Sequence, residues 1–371
     1  MFSKQELKEL AEYRSEASPV LSVYLNVDST QITAEQYRLT LRGMLKSVAD
    51  RAVPADIEAV ERYIGFEYDR QGKGIAIYSA GEFWRAYPLA FPMGDYVHVS
   101  SRPYIKPLAD YSDAYDRYGV VLVDREGARL FLFNQGALQD AAGMLGEELK
   151  EHTHDAAGRG GRSGRGSGQG RSSRLENRLE QVAMRNLRDI VELTQRFYSA
   201  GQCERIILGG TDENRSHFMS MLPKMLQSKV IGDFSIDMYA SATDVLDRSM
   251  HIIQRSVAER KAALVQTVIA GSHQGSGSVG LADTLMAIQE QRVQTLVIQE
   301  GFRAPGHVCT HCNYLTLSEV DACPVCGGSA RRMQDIVDYL VHRAILADIE
   351  VVFVRDEALV DAGSIGSVWR F

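Results

Sequence analysis

GRGGRSGRGSGQGRSSR, residues 158–174, holds seven glycines, five arginines and no acid, in a chain of 371 residues whose formal net charge is −7. With no apolar side chain to bury, such a segment cannot offset its own ordering entropy, so its composition predicts a mobile, cationic loop. Directly after it, Leu175, Leu179, Val182, Ala183, Leu187, Ile190, Val191, Thr194 and Phe197 recur at helical spacing. The loop is therefore mounted on a long amphipathic helix. Strand and helix patterns alternate on both sides of it, so the stretch reads as a presented tip within a layered α/β chain and not as a linker.

Working outward, Tyr118-GVVLVDREGARLFLF reads as two strands around the turn 124–127. A helix is expected from Leu138 to Lys150, before the arginine-glycine loop. Beyond the long helix, Cys203 to Leu208 reads as a strand closed by Gly209-Gly210, and His217 to Leu226 as a helix that bends or restarts at Pro223. Towards the N-terminus, Leu21, Val23, Leu25 and Val27 alternate along a strand. Helices are expected at 34–48 and 57–66, and strands at 74–78 and 83–89. The proline-punctuated SRPYIKPLAD (101–110) reads as an inter-domain connection. Towards the C-terminus, helices are expected at 242–261, 281–289 and 333–346 and strands at 293–298 and 349–354, with Gly275 to Gly280 in SHQGSGSVG as a loop. These patterns set three domains, 1–113, 114–240 and 241–371, all α/β, with an inserted cysteine knuckle at 305–332.

The acidic net charge argues against wholesale coating of nucleic acid, so RNA contact falls to local patches such as 158–174. No stretch of eighteen apolar residues occurs and MFSKQELKELAEYRSE has no apolar h-region. A chain without membrane span or secretory signal is expected, placed in the cytoplasm. Four of the five cysteines fall within 309–326. In a reducing compartment that clustering points to metal and away from disulfides, while Cys203 reads as a buried small hydrophobe.

Cys309-Thr-His-Cys312 and Cys323-Pro-Val-Cys326 are two CxxC pairs ten residues apart, followed by Gly327-Gly328. A CxxC turn aims two thiolates at one tetrahedral ion, and small residues after it let backbone N–H groups approach the sulfurs. Four thiolates leave no open coordination position, so one structural Zn2+ per chain is expected at Cys309, Cys312, Cys323 and Cys326, with His307 and His311 as neighbours outside the ligand set. For the loop, one reading is a solvated hinge. The other is RNA contact, with Arg159, Arg162, Arg165, Arg171 and Arg174 pairing with phosphates and releasing counterions. Nucleotide binding by its glycines is excluded, because no GxxxxGK[ST] occurs and the glycine spacings follow a helix and not a strand.

Gly166-Ser-Gly-Gln-Gly170 with the Arg-rich start of the long helix, then ERIILGGTDENR and MLQSKVIGDF, resembles the middle domain of archaeal and eukaryotic class I peptide-chain release factors. Gly280-LADTLMAIQEQRVQTLVIQEG, the CxxC pairs and DIEVVFV resemble that family's third domain, with the zinc insertion of archaeal members. The likeness runs from about residue 118 to the C-terminus and extends to Pelota-type rescue factors and a bacterial release-factor-like branch. It implies a three-domain release-factor-like architecture in which an L7Ae-like third domain carries a small zinc-ribbon insertion. It also implies a ribosomal partner at the A site and peptidyl transferase centre, engagement of a translational GTPase, and neither DNA nor membrane as a target. In that family a Gly-Gly-Gln tip promotes attack of water on the peptidyl-tRNA ester, and the residues that match are Ser167, Gly168 and Gln169. Ser167 stands where the family has its first glycine, and the first domain contains no NIKS-like element. The readings this leaves are a factor that promotes peptidyl-tRNA hydrolysis in termination or rescue, a non-catalytic hibernation or rescue factor, and a ribosome-independent RNA-binding protein.

Overall fold

A computed structural model describes residues 2–15, 17–114, 117–145, 169–200 and 203–370. The chain divides into two compact units, Asp116–Ser256 and a second that combines Met1–Tyr115 with Val257–Phe371. Boundaries read from sequence at 113 and 240 compare with breaks at 115 and 256, and the first and last segments form one unit.

In the unit Asp116–Ser256 a five-stranded sheet runs in the order Ala137–Leu145, Gly127–Asn134, Tyr118–Val123, Ile206–Gly210, Val230–Phe234. The first two pairings are antiparallel and the last two parallel. The helix expected at 138–150 is replaced by the strand Ala137–Leu145. Gln135 (φ 50°) and Gly136 (φ 76°) make a two-residue turn of left-handed backbone, which returns the chain as a hairpin and keeps it in the sheet. The helix at 217–226 is two pieces, Asp212–Met221 and Lys224–Gln227, because Pro223 cannot continue the first. Across the sheet lies the helix Gln169–Ala200, which begins six residues before the first apolar position of its sequence pattern.

The C-terminal half of that helix buries Leu187, Ile190, Thr194 and Tyr198. Tyr198 is the pin: its hydroxyl donates to the carbonyls of Val120 (2.9 Å) and Phe131 (3.2 Å) on neighbouring strands. Residue 119 must be glycine for this, since a Cβ there would lie 2.3 Å from the Tyr198 ring.

The other unit holds two four-stranded sheets. The first, Phe83–Leu89, Gly74–Ala80, Val20–Asn26, Tyr96–Ser100, is antiparallel throughout, and its core receives Leu21, Val23, Leu25 and Val27 as the alternation requires. The second, Gly277–Val279, Ile365–Trp369, Val293–Gln299, Glu350–Val354, has one parallel pairing, at its last step. Two of its strands escaped the sequence reading, including Gly277–Val279 within the supposed loop from Gly275 to Gly280. The segment 101–110, expected as a connection, is instead mortar. Pro103, Tyr104, Ile105 and Lys106 are buried and the helix Lys106–Ala114 follows, with Pro107 in its first turn where no N–H is needed. The Tyr104 N–H donates to Ser22 Oγ (3.0 Å), its carbonyl accepts from Tyr24 (2.6 Å), and Lys106 pairs with Asp335 (2.9 Å), almost shielded from solvent.

Candidate metal centre and the helix bearing the Gly168-Gln169 step

A ribbon of three antiparallel strands, in the order Leu315–Thr316, Gly306–Cys309, Ala330–Met333, carries the cysteines. Both CxxC segments close the same turn. In the first, Asn313 N–H donates to Cys309 O (3.1 Å) and Cys309 N–H to Tyr314 O (2.8 Å); in the second, Gly327 N–H donates to Cys323 O (2.9 Å) and Cys323 N–H to Gly328 O (2.7 Å). The residue after each pair has left-handed backbone, Asn313 at φ 60° and Gly327 at φ 70°, a conformation open mainly to Gly and Asn. The turns aim N–H groups at sulfur: those of His311 and Cys312 at Cys309 Sγ, and that of Val325 at Cys323 Sγ, all at 3.4 Å.

All four sulfurs lie within 4.8 Å of one another, with Cys309–Cys326 at 3.5 Å and Cys312–Cys323 at 3.6 Å. A disulfide would bring two of them to about 2.05 Å. A tetrahedral ion with metal–sulfur bonds of about 2.3 Å sets its ligands about 3.8 Å apart. The spacing fits the ion. Gly328 permits it, because a Cβ there would meet His311 Cβ at 3.0 Å and the sulfurs of Cys326 and Cys309 at 3.3 and 3.5 Å.

The charges would suit an ion as well. Backbone N–H groups of Cys312 and then His311 hold the Cys309 thiol down to about 6. At Cys312 the Tyr314 backbone favours the thiolate, but hydrogen bonding to Cys326 and desolvation favour the thiol, which is pushed up to about 12. One thiolate is thus readily held and four are not, unless a cation compensates them. The cluster can hold a metal ion, and its four sulfurs fill a tetrahedral shell with no position left for a reacting water. Neither His307 nor His311, either of which could have substituted for a cysteine, belongs to the cluster; His311 is exposed, and His307, expected to be exposed too, is half-buried. Cys203 is fully buried and desolvation pushes its thiol up to about 11, so it is an unreactive core residue.

The second sequence-derived site is only partly within the described residues. Ser167, Gly168, Arg159, Arg162 and Arg165 lie outside them. Gln169, Arg171 and Arg174 lie in the first turns of the helix Gln169–Ala200, of which the backbone is described there. First-turn N–H groups have no intrahelical acceptor, so the backbone donor of Gln169 sits at the positive end of a helix about 48 Å long. Sequence reasoning missed Asn313, whose left-handed turn repeats that of Gly327; an Asn directly after CxxC was the available signal.

With the sheets, ribbon and helix in place, the chain is a release-factor-like protein. Peptide chain release factor subunit 1 of Methanococcus maripaludis (strain C5) is 22% identical over 95% of this chain and 92% of its own length. The protein of the same name from Methanocaldococcus jannaschii is 23% identical over 95% and 91%. An uncharacterized protein of Mycobacterium tuberculosis is 22% identical over 76% of this chain and 75% of its own. Residues 103–254 match the model of bacterial archaeo-eukaryotic release factor family 10. Among solved structures, the archaeal translation termination factor aRF1 aligns at 17% identity over 100% of this chain and 99% of its own, with a TM-score of 0.28. Pelota from Archaeoglobus fulgidus aligns at 10% identity over 100% and 92%, with a TM-score of 0.37. No helix among the described residues is long and apolar enough to cross a membrane.

Proposed function

We propose that this chain is a cytoplasmic translation factor that binds the ribosomal A site and carries Ser167-Gly168-Gln169 to the peptidyl transferase centre. The observation that carries the reading is the similarity to peptide chain release factor subunit 1 along 95% of the chain. In the proposed reaction a water attacks the carbonyl carbon of the peptidyl-tRNA ester, the acyl C–O bond breaks, and the tRNA 3′-oxygen leaves as a hydroxyl carrying one proton of the water, the peptide keeping the new carboxyl group. The Gln169 backbone N–H, at the start of its helix, donates to the oxygen as it gains charge, and Gly168 allows the close approach. Such a donor needs no titration and is already oriented. Arg159, Arg162, Arg165, Arg171 and Arg174 hold ribosomal RNA phosphates, and the four cysteines bind one structural Zn2+. Residues 241–371 serve as an L7Ae-like domain, and a translational GTPase delivers the factor.

One observation favours a second reading, a hibernation or rescue factor that occupies the site without cleaving. The serine at 167 replaces a glycine, and a β-carbon in left-handed backbone costs about 1 kcal/mol or more. Ribosomes loaded with labelled peptidyl-tRNA separate the two. A hydrolytic factor loses release on Gly168→Ala, retains part of it on Gln169→Ala because the N–H survives, and loses about 10²- to 10³-fold when the donor is misplaced. A plug ignores both changes, and binding of the A site without release above the buffer rate would leave only the non-catalytic reading.

A further inference from the structure

His342 lies in the middle of the helix Ile336–Leu346 and is fully buried. Its Nδ1 faces the carbonyl oxygen of Ala11 at 3.1 Å and its Nε2 that of Pro103 at 3.0 Å. Carbonyl oxygens only accept. A neutral imidazole has one N–H and one lone pair, so in that form one of the two contacts would set a lone pair against a carbonyl with no water between. Only the cation donates to both. The surroundings supply its counter-charge: Asp338, one turn earlier, places Oδ2 3.8 Å from Nε2, and its Oδ1 is buried without a donor. Ala11 belongs to the last turn of the helix Lys4–Glu12, whose terminal carbonyls lack intrahelical partners and form the negative end of the helix dipole.

Several other charged groups on the packed elements have partners of their own. Lys106 pairs with Asp335, Lys8 with Asp348, and Arg260 with Glu350, while the Arg102 guanidinium lies 4.7 Å from the Tyr339 ring centre. From the first sheet come the phenols of Tyr24 and Tyr78 and the ring of His98, and beside them Tyr104. Burial pulls the His342 pKa down and Arg102 adds to that, against Asp338 and the two carbonyls. The two-acceptor geometry decides between them, because it leaves the neutral ring no tautomer that satisfies both sides.

We propose that His342 is held as the imidazolium and acts as a protonation-dependent clamp, tying the C-terminal end of the helix Lys4–Glu12 and the Pro103 turn to the helix Ile336–Leu346. A proton bound more tightly in the folded state than in the unfolded one, where histidine titrates near about 6.5, gives stability that is complete below about pH 6.5. That stability is lost as pH rises through the folded value, loosening the join.

Nitrogen-15 NMR of the imidazole rings in the full chain tests this, with His342 assigned through His342→Gln and through its displacement in Asp338→Asn. At pH 7 both ring nitrogens of His342 are expected at imidazolium shifts with slowly exchanging protons, and the titration midpoint above about 6.5. Asp338→Asn, which keeps shape and removes charge, should lower that midpoint by about one unit or more. In thermal unfolding from pH 6 to 9, His342→Gln should flatten the alkaline loss of stability seen in the wild type, a change that a purely structural residue would not produce. A single neutral tautomer at pH 7, or a midpoint unmoved by Asp338→Asn, would overturn the clamp even if His342→Gln failed to fold.

Discussion

Replacing Cys312 by Ser tests the metal centre where the geometry is tightest. Among the described residues the ribbon from 306 to 333 fully buries only two aliphatic side chains, Val308 and Leu315. Each contributes about 1.5–3 kcal/mol, whereas structural zinc supplies about 10–16 kcal/mol of apparent binding energy in small zinc modules. An ion bound there would therefore dominate the order of the ribbon. A serine hydroxyl does not ionise near neutral pH, so Cys312→Ser leaves three thiolates and an open position. Elemental analysis is expected to give one zinc per wild-type chain and much less in the variant. Hydrogen exchange should accelerate across 306–333 and stay nearly unchanged in the neighbouring strand Val293–Gln299. Acid should release the ion too, because protons compete with it for the thiolates. Wild-type protein without bound metal, or ribbon exchange indifferent to the substitution, would refute the reasoning.

Two further perturbations separate RNA contact from fold. Arg162, Arg165 and Arg171 changed together to Ala should weaken ribosome association and flatten its salt dependence, since fewer counterions are released, while the melting temperature stays nearly constant; equal affinity across a salt series would reduce the loop to a hinge. Tyr198→Phe removes a hydroxyl that donates to the Val120 and Phe131 carbonyls, so unfolding of the unit Asp116–Ser256 should lose about 1 kcal/mol; an unchanged denaturant midpoint would show the helix to be held by apolar packing alone.

Where one side of an element faces a core, the residue pattern was readable. Leu21, Val23, Leu25 and Val27 alternate because one face of their strand is buried, and Leu187 and Ile190 recur because one face of their helix is. The cysteine cluster was readable for a different reason: the spacing of a tetrahedral ligand set is itself a sequence property. Two kinds of feature escaped. Ala137–Leu145 has an exposed, alanine-rich pattern that reads as helix, and the turn at Gln135-Gly136 decides otherwise. Residues 101–106 look like a linker because prolines and polar side chains usually mark one, whereas here Pro103, Tyr104 and Lys106 meet His342, Ser22 and Asp335, partners far away in sequence. Such pairings are set by tertiary structure and leave no period to detect.

The helix start at Gln169 bears on what the serine at 167 means. If the catalytic group of the proposed reaction is a backbone N–H, its orientation depends on the first turn of the helix Gln169–Ala200. In that reaction the serine would bear on the approach of the chain towards the ester, while any residue other than proline at 169 would supply the donor. Docking, approach and charge stabilisation would then fall to different residues: the arginines, Ser167-Gly168, and the Gln169 N–H. The peptide-release comparison of Gly168→Ala with Gln169→Ala acts on the Gly168-Gln169 step directly: loss on the first change with partial retention on the second is the outcome expected of a backbone donor, and indifference to both is the outcome expected of a plug.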